Sequence, residues 1–232
     1  MKKLFVCSVL VLGLVITGCS SAQKKNPHLD GYWQGKGKSV SYKKFTRVKS
    51  WAPGQYVVMG NLDDGERKSI VTTTIIRREG GGWVFESITK DEDGKVSGMQ
   101  MLIKGYEQAV RTNDASKISV VWAKMLQPDG TVQTLQSDMM MMYNVMLKSA
   151  WEKLIIGGGS YTKAGAVSVP AGNFSGTTKL VASVKILFTT LTQVNYLHPD
   201  VPVHGIIKAT KEDGEVLQEL LDYGYNGKAV IK

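Results

Sequence analysis

From Trp51 onward, apolar and polar positions alternate in runs closed by turn dipeptides, a rhythm that predicts antiparallel β-structure. The turns are Pro53-Gly54, Asp64-Gly65, Gly80-Gly81-Gly82, Asp93-Gly94, Asp129-Gly130 and Asp213-Gly214, each able to supply the φ that a tight reversal needs. They delimit strands at Gln55 to Asn61, Arg67 to Glu79, Trp83 to Lys90, Lys95 to Tyr106, Ile118 to Gln127 and Thr131 to Ser137. Connections this short force neighbouring strands to run antiparallel. Met99, Met101 and Ile103 alternate with Gln100, Leu102 and Lys104, which gives one apolar and one mixed face; Trp83 and Phe85 point opposite to Val84, Glu86 and Ile88. Strands resume later at Gly165 to Val169, Phe174 to Leu187, Thr189 to Leu197, Pro202 to Lys211 and Glu215 to Tyr223. Several exceed the usual five or six residues, and long antiparallel strands twist and curl.

One segment changes period. Ser137 or Asp138 can cap a helix whose apolar positions are Met139, Met142, Tyr143, Met146, Leu147, Ala150, Trp151 and Leu154, with Asn144, Lys148, Glu152 and Lys153 set apart from them. Gly157 to Gly159 ends it. An amphipathic helix among curled strands buries its apolar side best against the hollow of the sheet. The expected fold is mainly β (α+β): a single curved antiparallel sheet or incomplete β-barrel, with one amphipathic helix packed in its concave face.

The start of the chain follows another grammar. Lys2 and Lys3 precede an apolar run from Leu4 to Ile16, well short of the roughly 20 residues that span a bilayer, so the run reads as a secretory signal. Ile16-Thr17-Gly18-Cys19 resembles the lipobox of bacterial lipoproteins. The resemblance implies cleavage before Cys19 and acyl chains on its sulfur. It also implies transfer to the outer membrane, because Ser20 rather than an aspartate follows the cysteine. Two or more acyl chains make anchoring stable where one is marginal. The expected organisation is a signal peptide over 1–18, a lipidated flexible tether over 19–30 and a single β domain over 31–232, its helix at about 138–155.

Composition narrows the chemistry. Of the 232 residues only Cys7 and Cys19 are cysteines; one leaves with the signal and the other is consumed by lipid. The mature domain then has no disulfide, thiol nucleophile or thiolate metal site, and packing must hold it together. The formal charge of +9 becomes +7 without Lys2 and Lys3. Its basic residues, among them Lys43, Lys44, Arg47, Arg77, Arg78, Lys179 and Lys208, are scattered as on a solvated surface, and no nucleic-acid partner is expected.

Catalytic patterns are missing from the sequence. Gly35-Lys36-Gly37-Lys38-Ser39 lacks the glycine that a phosphate loop needs at position 32, which is Tyr. Gly-x-Ser-x-Gly does not occur, and the histidines His28, His198 and His204 fall in the tether, a turn and a strand. Asp63-Asp64, Asp91-Glu92-Asp93 and Glu212-Asp213 read as turn formers. The expectation is a protein that is not an enzyme and holds no cofactor or metal. Met139 to Met142 with Met146 admit three roles: core packing, an adaptable apolar binding wall, or thioether ligation of Cu(I).

The runs Trp51-Ala-Pro-Gly-Gln-Tyr-Val-Val, Glu79-Gly-Gly-Gly-Trp-Val-Phe-Glu86, Met99-Gln-Met-Leu-Ile-Lys-Gly105, Val169-Pro-Ala-Gly-Asn-Phe174, Val201-Pro-Val-His-Gly-Ile-Ile-Lys208 and Leu221-Asp-Tyr-Gly224 look like those of a set of bacterial envelope lipoproteins. That set is distantly similar to the half-barrel lipoprotein carriers of the LolA and LolB type. The resemblance implies a concave apolar face, closed by helix, that holds acyl chains. The expected function is therefore that of an outer-membrane, periplasm-facing lipoprotein, attached to the membrane through lipid on Cys19. It binds a hydrophobic ligand or lipidated partner non-covalently, with Met139, Met142, Met146 and Trp151 lining or gating the hollow. The alternative is a structural or adaptor lipoprotein of an envelope assembly, with no small-molecule ligand.

Overall fold

The computed structural model describes residues 26–41, 43, 45, 48–112, 114–154, 160–186 and 189–232, with backbone alone for 146–154, 160, 183–186 and 189–191. A 3-10 turn at Asp30–Trp33 precedes β1 (Ser39–Val40), β2 (Tyr56–Asp63), β3 (Glu66–Glu79), β4 (Gly82–Asp91) and β5 (Val96–Lys104). Helix α1 (Tyr106–Thr112) and a 3-10 turn (Ala115–Lys117) lead to β6 (Ser119–Leu126), β7 (Val132–Thr134) and α2 (Ser137–Leu154). Then come β8 (Ser160–Lys163), β9 (Val167–Val169), β10 (Gly172–Phe174), β11 (Thr178–Ile186), β12 (Thr189–Leu197), β13 (Ile206–Thr210) and β14 (Val216–Gly224).

Eleven strands form one antiparallel sheet in the order β7-β6-β5-β4-β3-β2-β14-β13-β12-β11-β8. Two meanders, β2 to β7 and β11 to β14, meet where β14 pairs with β2. A small sheet, β1-β10-β9, adds a parallel β1–β10 pair that the sequence reading did not anticipate. The tight hairpins follow the turn residues. Asp64 (φ 49°) with Gly65 (φ 77°), and Gly80 (φ 54°) with Gly81 (φ 78°), take the left-handed conformations of two-residue reversals.

Helix α2 packs against both β6 and β11, each one strand in from opposite edges of the sheet. One helix can touch both only if the sheet curls around it. Register shifts at Ile75/Arg77, Leu102/Ile103 and Leu220/Asp222 supply local twist for that curl. The expected architecture, a curved open sheet with a helix in its hollow, is the one observed.

Alternation puts Val57, Met59, Ile75, Trp83, Phe85, Met99, Met101, Ile103, Leu180 and Leu220 on the concave side, in one core with Met140 and Tyr143 of α2. Trp51 enters this core from the segment before β2, stacked on Tyr106 at 3.6 Å between ring centres and 5.9 Å from Phe85. A smaller cluster on the other face unites Val58, Ile70 and Leu221 with Leu29.

Four expectations need correction. The tether does not extend to residue 30: Leu29 is fully buried, the Asn26 amide donates to the Glu92 carbonyl, and Trp33 lies on Gly60. The strand expected to run to Tyr106 stops at Lys104. There Gly105 turns the chain at φ 78°, and its Cα lies so close to the Lys117 carbonyl that a Cβ would collide at 1.9 Å. The strand drawn from Phe174 to Leu187 is two, broken at Ser175-Gly176-Thr177 where Gly176 has φ 64°. The strand drawn from Pro202 starts only at Ile206, because Val203, at φ 67°, turns the chain.

Candidate functional site

The first two turns of α2 carry large apolar side chains on both sides. Met140 and Tyr143 face the core, while Met139, Met141, Met142 and Val145 are 39%, 71%, 54% and 67% exposed. The inward direction is set by Asn144, which the sequence reading assigned to the polar side. Its Oδ1 accepts from the Val120 N–H at 2.7 Å, and its Nδ2 donates to the Val120 carbonyl at 3.2 Å and to the Met140 carbonyl at 3.0 Å. The physical reason lies in β7, which pairs with β6 only over Lys124 to Leu126 and so leaves the Val120 peptide groups on a bare edge. One side-chain amide offers the donor and acceptor of a missing strand residue. Asn144 thereby fixes the rotation of α2 and turns Met139 and Met142 outward, away from the hollow they were expected to line.

Met146 and Trp151 belong to the part of α2 described by its backbone alone, and Cys19 lies outside the described residues. Thus the structure places Met139 and Met142 together on one exposed face, joined by Met141 of the same methionine run and by Val145. A helix apolar all round is normally covered on every side.

His198 and His204 are engaged by backbone. His198 accepts from the Asp200 N–H at Nδ1 (3.2 Å), so its Nε2, 3.1 Å from the Ser41 carbonyl, carries the proton. Desolvation holds its pKa below the ordinary value. His204 accepts the Ile206 N–H at Nδ1 (3.1 Å), and desolvation brings its pKa down to about 4. The Asp200 carboxylate turns instead to Lys43 at 2.9 Å and Lys49 at 3.7 Å. The neighbouring Val203 is a β-branched residue held in the left-handed region, and its carbonyl accepts the buried Trp51 Nε1–H at 2.9 Å.

Folding also joins turns that are distant in sequence. Asp63 and Asp64 of the β2–β3 turn and Glu215 at the β13–β14 turn each place an oxygen within 4.8 Å of the others. Their oxygens are of the type a hard cation takes, but the Lys211 ammonium already sits 2.6 Å from Glu215.

On the convex face lies a feature that the sequence reading missed. Glu86, 1% exposed, accepts from the backbone N–H groups of Val230 (2.8 Å) and Ile231 (2.9 Å) and from the Gln100 side-chain amide (3.0 Å). The available signal was a carboxylate in strand phase with Val84 and Ile88, on a face that a solvated strand would not make apolar.

No family model matches the chain, and no curated protein matches it. Among solved structures, a Bacteroides fragilis protein of YmcC-like fold, thought to be exported, aligns with 78% of this chain and 98% of its own at 11% identity, with a TM-score of 0.35. The architecture described above rests on the strand pairings themselves.

Proposed function

We propose that this chain is a lipid-anchored envelope lipoprotein whose domain serves as an adaptor, docking a partner protein non-covalently on the outer face of α2. The anchor follows from the lipobox-like Ile16-Thr17-Gly18-Cys19 and the signal before it. The observation that carries the docking role is the exposed quartet Met139, Met141, Met142 and Val145 on a helix whose other side is already buried. Methionine suits such a surface because its unbranched thioether chain adapts to the shape that meets it.

The convex shape of this face favours an adaptor over an acyl-chain carrier. Small apolar ligands are held in concave sites that cover most of their surface, whereas the quartet forms a ridge that fits a partner's groove. The concave side is occupied by the protein's own Trp51, Phe85, Tyr106, Met99 and Met101. Burying the exposed fractions of the four side chains would supply about 3.5–7 kcal/mol of gross stabilisation, at about 1.5–3 kcal/mol per whole side chain.

The test is photo-crosslinking in cells that produce the chain, with a benzophenone amino acid at Met141. The expected result is a discrete protein adduct, lost when Val145→Asp and Met142→Asp are added, and no adduct from the same probe at the exposed Lys95 of the β4–β5 turn. An adduct pattern indifferent to those substitutions, or lipid as the sole crosslinked species, would refute the adaptor reading.

A further inference from the structure

Thr74, Glu86, Gln100 and Lys124 lie in cross-strand register on β3, β4, β5 and β6 and form a polar row across the convex face. The first three are buried, at 3%, 1% and 3% exposure. The cover is the chain's own segment after β14, which crosses the strands along the row. The Gly227 N–H donates to the Gly54 carbonyl at 2.8 Å, and the Gly227 Cα lies against the Thr74 methyl. Glu86 takes the Val230 and Ile231 N–H groups, Gln100 Nε2 donates to the Ile231 carbonyl at 2.8 Å, and Lys124 Nζ reaches the Lys232 carbonyl at 3.5 Å. The dimensions agree: three interstrand steps span about 14 Å, and five extended residues about 16 Å.

Two properties distinguish this contact from a plain sheet cover. Glu86 and Gln100 read backbone, two N–H groups and one carbonyl, and the row seats a single side chain: Ile231 is buried, while Lys228, Ala229 and Val230 remain exposed. Backbone hydrogen bonds combined with a seat for one side chain are how extended peptides are recognised. Moreover, among the described residues no lysine or arginine pairs with the Glu86 carboxylate, so its desolvation is offset by donors that include the docked segment. Apolar side chains would cover a sheet at lower cost.

We propose that the Glu86–Gln100 row is a receptor for an extended peptide segment carrying an aliphatic side chain, that residues 226–232 occupy it in cis, and that a partner's extended segment binds by displacing them. This surface is separate from α2, so the inference stands apart from the adaptor reading.

The test uses the intact chain and a fluorescein-labelled peptide of residues 226–232, with binding read by anisotropy. Ile231→Asp in the chain loosens the cis segment, and the labelled peptide should then bind at least tenfold more tightly than it does to the unaltered chain. Adding Glu86→Ala should abolish that gain, and a peptide carrying Ile231→Asp should not bind. No gain from Ile231→Asp, or binding indifferent to Glu86→Ala, would overturn the proposal. Amide exchange on the unaltered chain gives an independent reading. Val230 and Ile231 should exchange at least tenfold faster than Met99 and Met101, because the segment opens locally; equal rates would mean that it leaves only on global unfolding and would also overturn the proposal.

Discussion

Asn144→Ala is expected to be the most informative single change in α2. The substitution removes three hydrogen bonds and leaves the Val120 N–H and carbonyl on a part-buried edge without their side-chain partner. A net hydrogen bond is worth about 1 kcal/mol, and an unsatisfied buried group costs about 1–3 kcal/mol. Water will reach part of this edge, so the loss should fall at about 2–3 kcal/mol rather than at the sum of the upper values. For a domain of this size that corresponds to a fall in Tm of roughly 4–12 °C. The measurement is urea unfolding followed by tryptophan fluorescence, with Met141→Ser as the companion. Met141 is 71% exposed, so its replacement should change stability by less than about 0.5 kcal/mol. Asn144→Asp should recover only part of the loss, because a carboxylate still accepts the Val120 N–H but returns no donor to the carbonyl. A loss below about 0.5 kcal/mol for Asn144→Ala would refute the reasoning: the β6 edge would then be satisfied by water, and the rotation of α2 would rest on Met140 and Tyr143 alone.

Stability should depend on acid through the histidines. Both folded pKa values lie below the unfolded value of about 6.5, so the unfolded chain binds more protons below that pH. The stabilisation is complete above about pH 6.5 and is lost as pH falls; for His204 the loss runs towards pH 4 and reaches at most about 3 kcal/mol. Urea midpoints between pH 7.5 and 4.5 should show the decline, and His204→Gln should flatten it; an unchanged slope would contradict the assignment. Gly60→Ala should release the segment at 26–33, since its Cβ would lie 2.1 Å from the Trp33 ring, and the Trp33–Arg67 stack and the Arg67–Asp30 pair at 2.7 Å should go with it. Faster proteolysis of that segment with the sheet's exchange protection intact is the expected result, at a cost of about 1–3 kcal/mol. Trp51→Phe should cost about 1–3 kcal/mol by leaving the Val203 carbonyl without its indole donor; thermal unfolding checks it, and a change under 0.5 kcal/mol would mean another donor takes over.

Much of the sheet was legible in the chain because two-residue turns and period-two alternation are local codes. Asp64-Gly65 and Gly80-Gly81 specify reversals irrespective of distant residues, and Met99, Met101 and Ile103 face the core as their spacing predicts. Helix α2, expected near 138–155, spans Ser137–Leu154. Strand ends were missed where single residues such as Gly176 and Val203 take left-handed backbone, and the other errors share one cause: contacts between residues distant in sequence. Leu29 looked like tether because the cluster that buries it, Val58, Ile70 and Leu221, is built from β2, β3 and β14. Asn144 looked like solvent surface because the bare edge it caps exists only once β7 has stopped short on β6. The Glu86 contact depends on residues 144 and 145 positions further along the chain.

By itself the sequence determined the antiparallel class and the position of helix α2. Each is written in neighbouring residues through turn conformation or period. Only the tertiary structure decided which side of that helix is buried, that Leu29 packs into the domain and what covers the convex face. Those depend on which edges and faces remain open after the strands pair, and pairing joins residues more than a hundred positions apart, such as Gly60 with Glu219.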